Sequence, residues 1–257
     1  MNQPITPEES LQRIRIVLSR PSHPGNIGAA ARAMKTMGLS RLYLVNPKSF
    51  PDPEADARAT GAVDVLHAAA VCATLDEALA GTIHAVAVSA RRRDLGPQPQ
   101  PARDGVANLL GFAQQGEVAL VFGNETTGLS NDEVQRCQSA VTIPTAPDFS
   151  SLNLGAAVQL LCYEARMTAL AAPAVLGDPK VTPFTSPLAT LDEAEGFYAH
   201  LETVMVESGF MDPAKPKRLL PKLRRLFGRA GLEKDEVNIL RGILTATQLA
   251  EKRQKNR

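Results

Sequence analysis

The chain has 257 residues, of which 44% are hydrophobic and 21% charged, with a formal net charge of +1 at pH 7. Such a chain can bury one large core, or one core plus a small appendage, and reads as a soluble globular protein. The near-zero charge excludes polyanion binding by overall charge, so any such contact needs a local basic patch. Cys72, Cys137 and Cys162 are few, well separated and set in apolar surroundings. That pattern argues for reduced thiols and a cytoplasmic compartment, and against a disulfide framework or a metal cluster. No apolar run approaches the ~20 residues of a membrane helix. The stretch Met1 to Ser10 is polar with Pro4 and Pro7, which suits a flexible lead-in rather than a signal peptide.

In chain order, Ile14 to Ser19 reads as a strand. A glycine-bearing turn follows, then a helix whose apolar residues Ile27, Ala30, Ala31, Met34 and Met37 recur at helical spacing, with Arg32 off that stripe. Further strands are expected over 42–46, 85–90, 118–123 and 141–144, alternating with helices. That alternation predicts an α/β fold with a mainly parallel sheet covered on both faces. Thr74 with Glu77, and Ser130 with Glu133, match the capping-box spacing. Leu154, Ala157, Val158, Leu161, Cys162 and Ala165 form the buried stripe of another helix. From Ala171 to Pro187 four prolines among small and polar residues read as a linker. Thr190 and Glu193 then open a helix closed by Gly209, and two more helices are expected around 219–230 and 235–252. The organisation read from the sequence is an α/β domain over 1–172, a linker over 173–189 and an all-helical module over 190–257.

The chemistry narrows by exclusion. There is no P-loop, and Gly25 with Gly28 lacks the third glycine of a dinucleotide fingerprint. His23, His67, His84 and His200 form no metal spacing. No Gly-x-Ser-x-Gly elbow is present, so Ser150 and Ser151 are not read as hydrolase nucleophiles. Three segments remain: Gly25 to Met34, Phe122 to Ser130, and Phe149 to Gly155. Each puts small and hydrogen-bonding residues at a strand-to-helix turn, where α/β proteins bind ligands. The N–H groups that open a helix there attract polar groups. Basic residues gather elsewhere. Lys215, Lys217, Arg218, Lys222, Arg224, Arg225 and Arg229 fall within fifteen residues without an intervening acid. Arg91-Arg92-Arg93 and the tail Lys252, Arg253, Lys255, Arg257 add two more spots. Solvation alone would account for a basic helix face; three such spots together point to nucleic acid. With no Trp and 4% aromatic residues, backbone and shape recognition of a structured RNA fits better than extensive base stacking.

The ordered combination of Asn26 to Arg32, Gly123 to Gly128 and Ser150 to Asn153 resembles the SpoU branch of the SPOUT RNA methyltransferases. Ala31 to Leu39, Leu44 to Pro47, Ser89 to Arg91, Lys222 to Phe227 and Asn238 to Leu244 look like TrmJ-type tRNA 2′-O-methyltransferases. The resemblance covers nearly the whole chain. It implies a C-terminal trefoil knot in the α/β domain, a homodimer with the active site at the subunit interface, and S-adenosylmethionine as methyl donor. It implies a tRNA substrate, methylated on the ribose of cytidine or uridine at position 32 of the anticodon loop. Carried over residue by residue, it gives Asn26, Arg32, Glu125, Ser151 and Asn153 as catalytic positions. The cofactor-binding positions are Val88, Ser89, Ala90, Gly123, Ile143, Ser150, Ser151 and Leu152. Arg91, Arg92, Lys222, Arg224, Arg225 and Arg229 are the RNA-binding candidates. Asn124, and Phe149 where many relatives carry Tyr, depart from the common pattern. The competing readings are a ribosomal-RNA ribose methyltransferase of the same fold and a non-catalytic RNA-binding protein. The second predicts loss of Arg32, Ser151 or Asn153, all of which are present.

Overall fold

A computed structural model describes residues 5–89, 96–146, 148–171 and 185–255. The chain divides into two compact units, residues 1–177 and 178–257. The first opens with α1 (Pro7–Gln12), capped by Thr6, whose side chain accepts from Glu9 N–H while its own N–H donates to the Glu9 carboxylate at 2.7 Å. The sheet strands are β1 (Ile14–Ser19), β2 (Arg41–Val45), β3 (Ala70–Cys72), β4 (Thr82–Val88), β5 (Pro99–Pro101), β6 (Glu117–Phe122) and β7 (Ser139–Thr142). Their spatial order is β3-β2-β1-β6-β4-β7-β5, and every pairing is parallel. The helices between and after them are α2 (Pro24–Met37), α3 (Pro53–Ala59), α4 (Val63–His67), α5 (Leu75–Leu79), α6 (Ala102–Ala113), α7 (Asn131–Gln135) and α8 (Leu154–Leu170).

The central strands are apolar because both their faces are covered: β1 is buried at all six positions and β6 at five. The two strands that the sequence pattern does not predict are edge strands. β5 reads Pro-Gln-Pro and pairs only with β7, and a proline can sit in a sheet only where its missing N–H is not needed. β3 has three residues and carries the exposed Val71. Neither is long enough to show a period. α2 packs on α3 and α8. A Cβ at Gly28 would lie 2.1 Å from the Ala55 carbonyl oxygen, so the backbones of α2 and α3 touch only because this position is glycine. The stripe predicted for α8 is buried as expected, and Cys162 lies in it with its thiol pushed up to about 12 by burial.

Because all strands run one way, their carboxyl ends share one edge of the sheet. The opposite edge holds a charge cluster. Arg15 donates Nε to Glu117 at 2.8 Å and Nη1 to the carbonyls of Ala78 and Ala80 at 2.9 and 2.8 Å. Arg41 also pairs with Glu117.

The second unit comprises α9 (Leu191–Glu207), α10 (Leu219–Ala230) and α11 (Lys234–Lys255). Phe197, Tyr198 and Val237 form its buried centre, and the Phe227 ring stands edge-on to Phe197 at 5.0 Å. Residues 186–189, read from the sequence as the end of the linker, belong to this unit. Ser186 N–H donates to Glu233 at 2.7 Å, and Ala189 N–H to the Leu232 carbonyl at 2.9 Å. Residues 172–184 of that stretch lie outside the described residues.

Candidate active site

A cleft of about 240 Å³ opens at the carboxyl edge of the sheet. Its wall is built from four places: the end of β4 (Val88, Ser89), the loop after β6 (Gly123 to Leu129), Ile143 after β7, and the entry to α8 (Ser150 to Leu152, Leu154). Seven of the eight cofactor-binding positions carried over by resemblance therefore share one cavity. The eighth, Ala90, lies outside the described residues, as do Arg91 and Arg92. The β6 loop folds back on itself so closely that a Cβ on Gly123 would sit 2.2 Å from the Gly128 carbonyl carbon. Asn124 closes the turn. Its Oδ1 accepts from Thr126 N–H at 2.9 Å and Thr127 N–H at 3.3 Å, while its Nδ2 donates to the Arg20 carbonyl at 2.8 Å.

Glu125 joins this cleft to the first motif. One carboxylate oxygen accepts Ser22 N–H at 2.8 Å and Ser22 Oγ–H at 2.7 Å; the other accepts His23 N–H at 3.2 Å and Asn26 Nδ2–H at 3.0 Å. Partial burial opposes the charge, but the Asn26 amide and the two Ser22 donors outweigh it and hold the carboxyl at about 2. The relay continues, with Asn153 Nδ2 donating to Asn26 Oδ1 at 2.9 Å. Asn153 is also the N-cap of α8, its Oδ1 accepting Ala156 N–H at 3.3 Å. Asn153 thus caps α8 with its side-chain oxygen and joins the relay with its side-chain amide. Four of the five catalytic candidates converge: Asn26, Glu125 and Asn153 in the relay, and Ser151 in the cleft wall.

Arg32 stands apart. It is exposed on α2, six residues beyond Asn26, which puts it ~9 Å along the helix and ~120° around it. It is not part of the cleft wall of its own chain. Ser22 is the residue that sequence reasoning missed. Its partner is 103 positions away, and a lone serine ahead of His23-Pro24 carries no periodic or motif signal.

The four basic candidates on α10 differ. Lys222 and Arg229 are exposed and Arg225 is half-buried. Arg224 is committed inside its own unit. Its guanidinium forks onto Glu195, with Nη2 2.7 Å from Oε2, and lies 4.4 Å over the Tyr198 ring. Among the described residues no cluster of His, Cys, Asp and Glu could hold a metal ion, and no helix is long and apolar enough to cross a membrane.

Residues 13–163 match the SpoU rRNA methylase family, and residues 192–257 match the C-terminal domain of the tRNA methyltransferase TrmJ. A tRNA (cytidine/uridine/adenosine-2′-O-)-methyltransferase TrmJ of Pseudomonas aeruginosa (strain UCBPP-PA14) is 54% identical over 246 residues, spanning 93% of this chain and 95% of its own. A tRNA (cytidine/uridine-2′-O-)-methyltransferase TrmJ of Yersinia enterocolitica is 49% identical over 243 residues, 94% of each chain. The crystal structure of TrmJ from Z. mobilis ZM4 superimposes with a TM-score of 0.78 at 33% identity, covering 91% of this chain and 98% of that one. With its α/β unit matched over 151 residues and its helical unit matched separately, the chain belongs to the SpoU methylase family, among the TrmJ-type members that carry the second domain.

Proposed function

We propose that this protein transfers a methyl group from S-adenosylmethionine to the ribose 2′-oxygen of a pyrimidine, cytidine or uridine, at position 32 of the tRNA anticodon loop. The observation that carries the reading is the convergence of three distant segments, 22–26, 123–128 and 150–153, on one cleft and one hydrogen-bond relay. The names of the relatives support tRNA as the substrate and the 2′-oxygen as acceptor. The Pseudomonas relative is also named for adenosine, so the test includes that base.

The cleft suits the donor. Val88, Ile143 and Leu152 offer apolar surface for a flat base, and Ser89, Ser150 and Ser151 offer polar groups at the rim, the mixture that small-molecule sites use. When bound, S-adenosylmethionine supplies an electrophilic methyl group on its sulfonium. The protein's task is to align the 2′-hydroxyl and to stabilise the charge that develops on it. Glu125 is not the base: four donors occupy its oxygens, and a carboxyl held at about 2 has little affinity for a proton. Its work is to lock Ser22 and Asn26 to the β6 loop. Arg32 is not the base either, since a guanidinium does not give up its proton in proteins. It grips RNA phosphate and orients the 2′-oxygen, whose proton leaves late to water or a neighbouring phosphate. Ser151 and Asn153 hold the nucleotide.

The same reading includes a homodimer in which Arg32 of one subunit serves the cleft of the other. The exposed apolar residues Leu160, Tyr163, Met167 and Leu170, spaced along one side of α8, support a buried contact with a second copy. It also includes the trefoil knot, a cytoplasmic location and the division into a catalytic domain over 1–172, a linker and an RNA-binding module over 190–257. On that module the RNA contacts fall to Lys222, Arg225 and Arg229, with Arg91 and Arg92 adding to them from the catalytic domain, while Arg224 holds α10 to α9.

The test is to incubate the protein with labelled S-adenosylmethionine and an unmodified tRNA transcript, digest, and identify the methylated nucleoside by mass spectrometry. A 2′-O-methylated pyrimidine in the anticodon-loop fragment supports the reading. Transfer to ribosomal RNA and not to tRNA replaces it with the other substrate class.

A further inference from the structure

Phe149 is the most exposed large apolar side chain among the described residues, at 79%, and it directly precedes Ser150 of the cleft wall. Its N–H donates to the Ala146 carbonyl at 3.1 Å, and the next three residues, Ser150 to Leu152, line the cleft. Among the described residues Phe210, at 71%, is similarly exposed but lies in the second unit, while other phenylalanine rings are engaged. Phe122 and Phe197 are buried, Phe112 stacks on His84 at 4.0 Å, and Phe227 stands against Phe197. Phe149 has no ring contact among the described residues. The ring is exposed to water one residue before a wall of the site that must receive the ribose.

We propose that Phe149 is a positioning residue for the substrate: its ring stacks on the base of the nucleotide being methylated and so sets that nucleotide's ribose over the cleft. The inference rests on the RNA methyltransferase reading above and adds to it the group that holds the base. A phenyl face recognises any base by stacking and has no hydroxyl with which to read a base edge. It therefore supplies position and affinity with little discrimination between cytidine and uridine. Chain-wide scarcity of aromatic residues is consistent with a single stacked base rather than a stacked strand.

The test compares wild type with Phe149→Ala, Phe149→Leu and Phe149→Tyr. It measures KM and kcat for a tRNA transcript, tRNA affinity without turnover, S-adenosylmethionine affinity by calorimetry, and mass in solution by light scattering. Stacking predicts that Ala and Leu each raise the KM for tRNA about tenfold, that Tyr stays within about twofold of wild type, and that donor affinity and mass do not change. A Leu variant equal to wild type overturns the proposal, because an apolar contact without a π-face would then suffice. Weakened donor binding in Ala and Leu also overturns it, placing the ring over the donor instead. So does loss of the dimer, which would make Phe149 an interface residue. Wild type that methylates no RNA removes the underlying reading, and the proposal falls with it; active wild type with an unaffected Leu variant sinks the proposal alone.

Discussion

The Asn153 side-chain amide donates to Asn26 Oδ1 across 127 positions of sequence, and the Asn26 amide in turn donates to Glu125. Each asparagine therefore has its amide orientation fixed by the next member, from the carboxylate to the N-terminus of α8. Residues that act as one unit lose function non-additively. Asn26→Ala and Glu125→Ala should each lower kcat/KM on the order of a hundredfold, and the double variant should be little worse than either. Steady-state kinetics on the three variants, with thermal melts to check folding, measure this. Multiplying losses would mean that the two side chains act independently.

Acid should destabilise the protein in two successive, slightly overlapping windows. His84 stacks on Phe112 with Nε2 2.8 Å from Ser139 Oγ, and burial pushes its pKa down to about 4 from 6.5. The unfolded chain thus takes up a proton before the folded one does. The stability His84 contributes is complete above about pH 6.5 and is lost as pH falls to 4, a change of about 3 kcal/mol. Glu125, at about 2 against 4.5, contributes stability above pH 4.5 that is lost on the way down to 2. Urea unfolding of wild type between pH 7 and 4.5 should show the first slope, and His84→Gln should flatten it. An unchanged slope in that variant would assign the loss to other groups.

Much of the fold was legible because its central elements are long and periodic. β1 runs over the very residues whose pattern predicts it, α10 over 219–230, and the apolar stripe of α8 is the buried one. What stayed hidden lacks local signal. β5 is a Pro-Gln-Pro edge that only the neighbouring strand makes a strand. The ends of the linker could not be told from loop composition, since Glu233, 47 residues on, is what ties Ser186 down. In the site, the motifs were visible as turns rich in Gly, Ser and Asn, yet the donors that lower the Glu125 pKa are Asn26 in the first turn of α2 and Ser22 just before it, about a hundred residues earlier. A charge count likewise grouped Arg224 with its basic neighbours, whereas the structure pairs it with Glu195 and Tyr198 on another helix.

The basic helix α10 should therefore separate into two kinds of arginine. Removing Arg224 strips a forked ion pair and a cation–π interaction from the helical unit, a loss of about 1–2 kcal/mol that should appear as a lower melting temperature for that unit. Arg225→Ala and Arg229→Ala should leave melting unchanged and weaken tRNA binding. For every phosphate that is no longer neutralised, the slope of log K against log salt becomes shallower by about 0.7–0.9. Binding isotherms at several salt concentrations, paired with calorimetric melts, distinguish the two. An Arg224→Ala variant that melts normally but binds tRNA poorly would return that residue to the RNA face.

Arg32 gives the sharpest test of how the 2′-oxygen is activated. It is exposed on α2 and outside the cleft wall of its own chain, so its substitution should leave donor binding untouched. If the planar fork clamps phosphate while orienting the 2′-oxygen, a lysine keeps the charge and loses the paired geometry. Arg32→Lys should then lower kcat on the order of a hundredfold with the S-adenosylmethionine affinity unchanged. Mixing Arg32→Lys with Asn153→Ala subunits adds a check on where the arginine acts. If each arginine serves the other subunit's cleft, a mixed dimer carries one site with both defects and one with neither, and a randomly paired equal mixture recovers toward about a quarter of wild-type activity. If each serves its own, every site carries one defect and mixing restores nothing. A fully active Arg32→Lys homodimer would rule out any need for the guanidinium and leave bare positive charge as the residue's contribution.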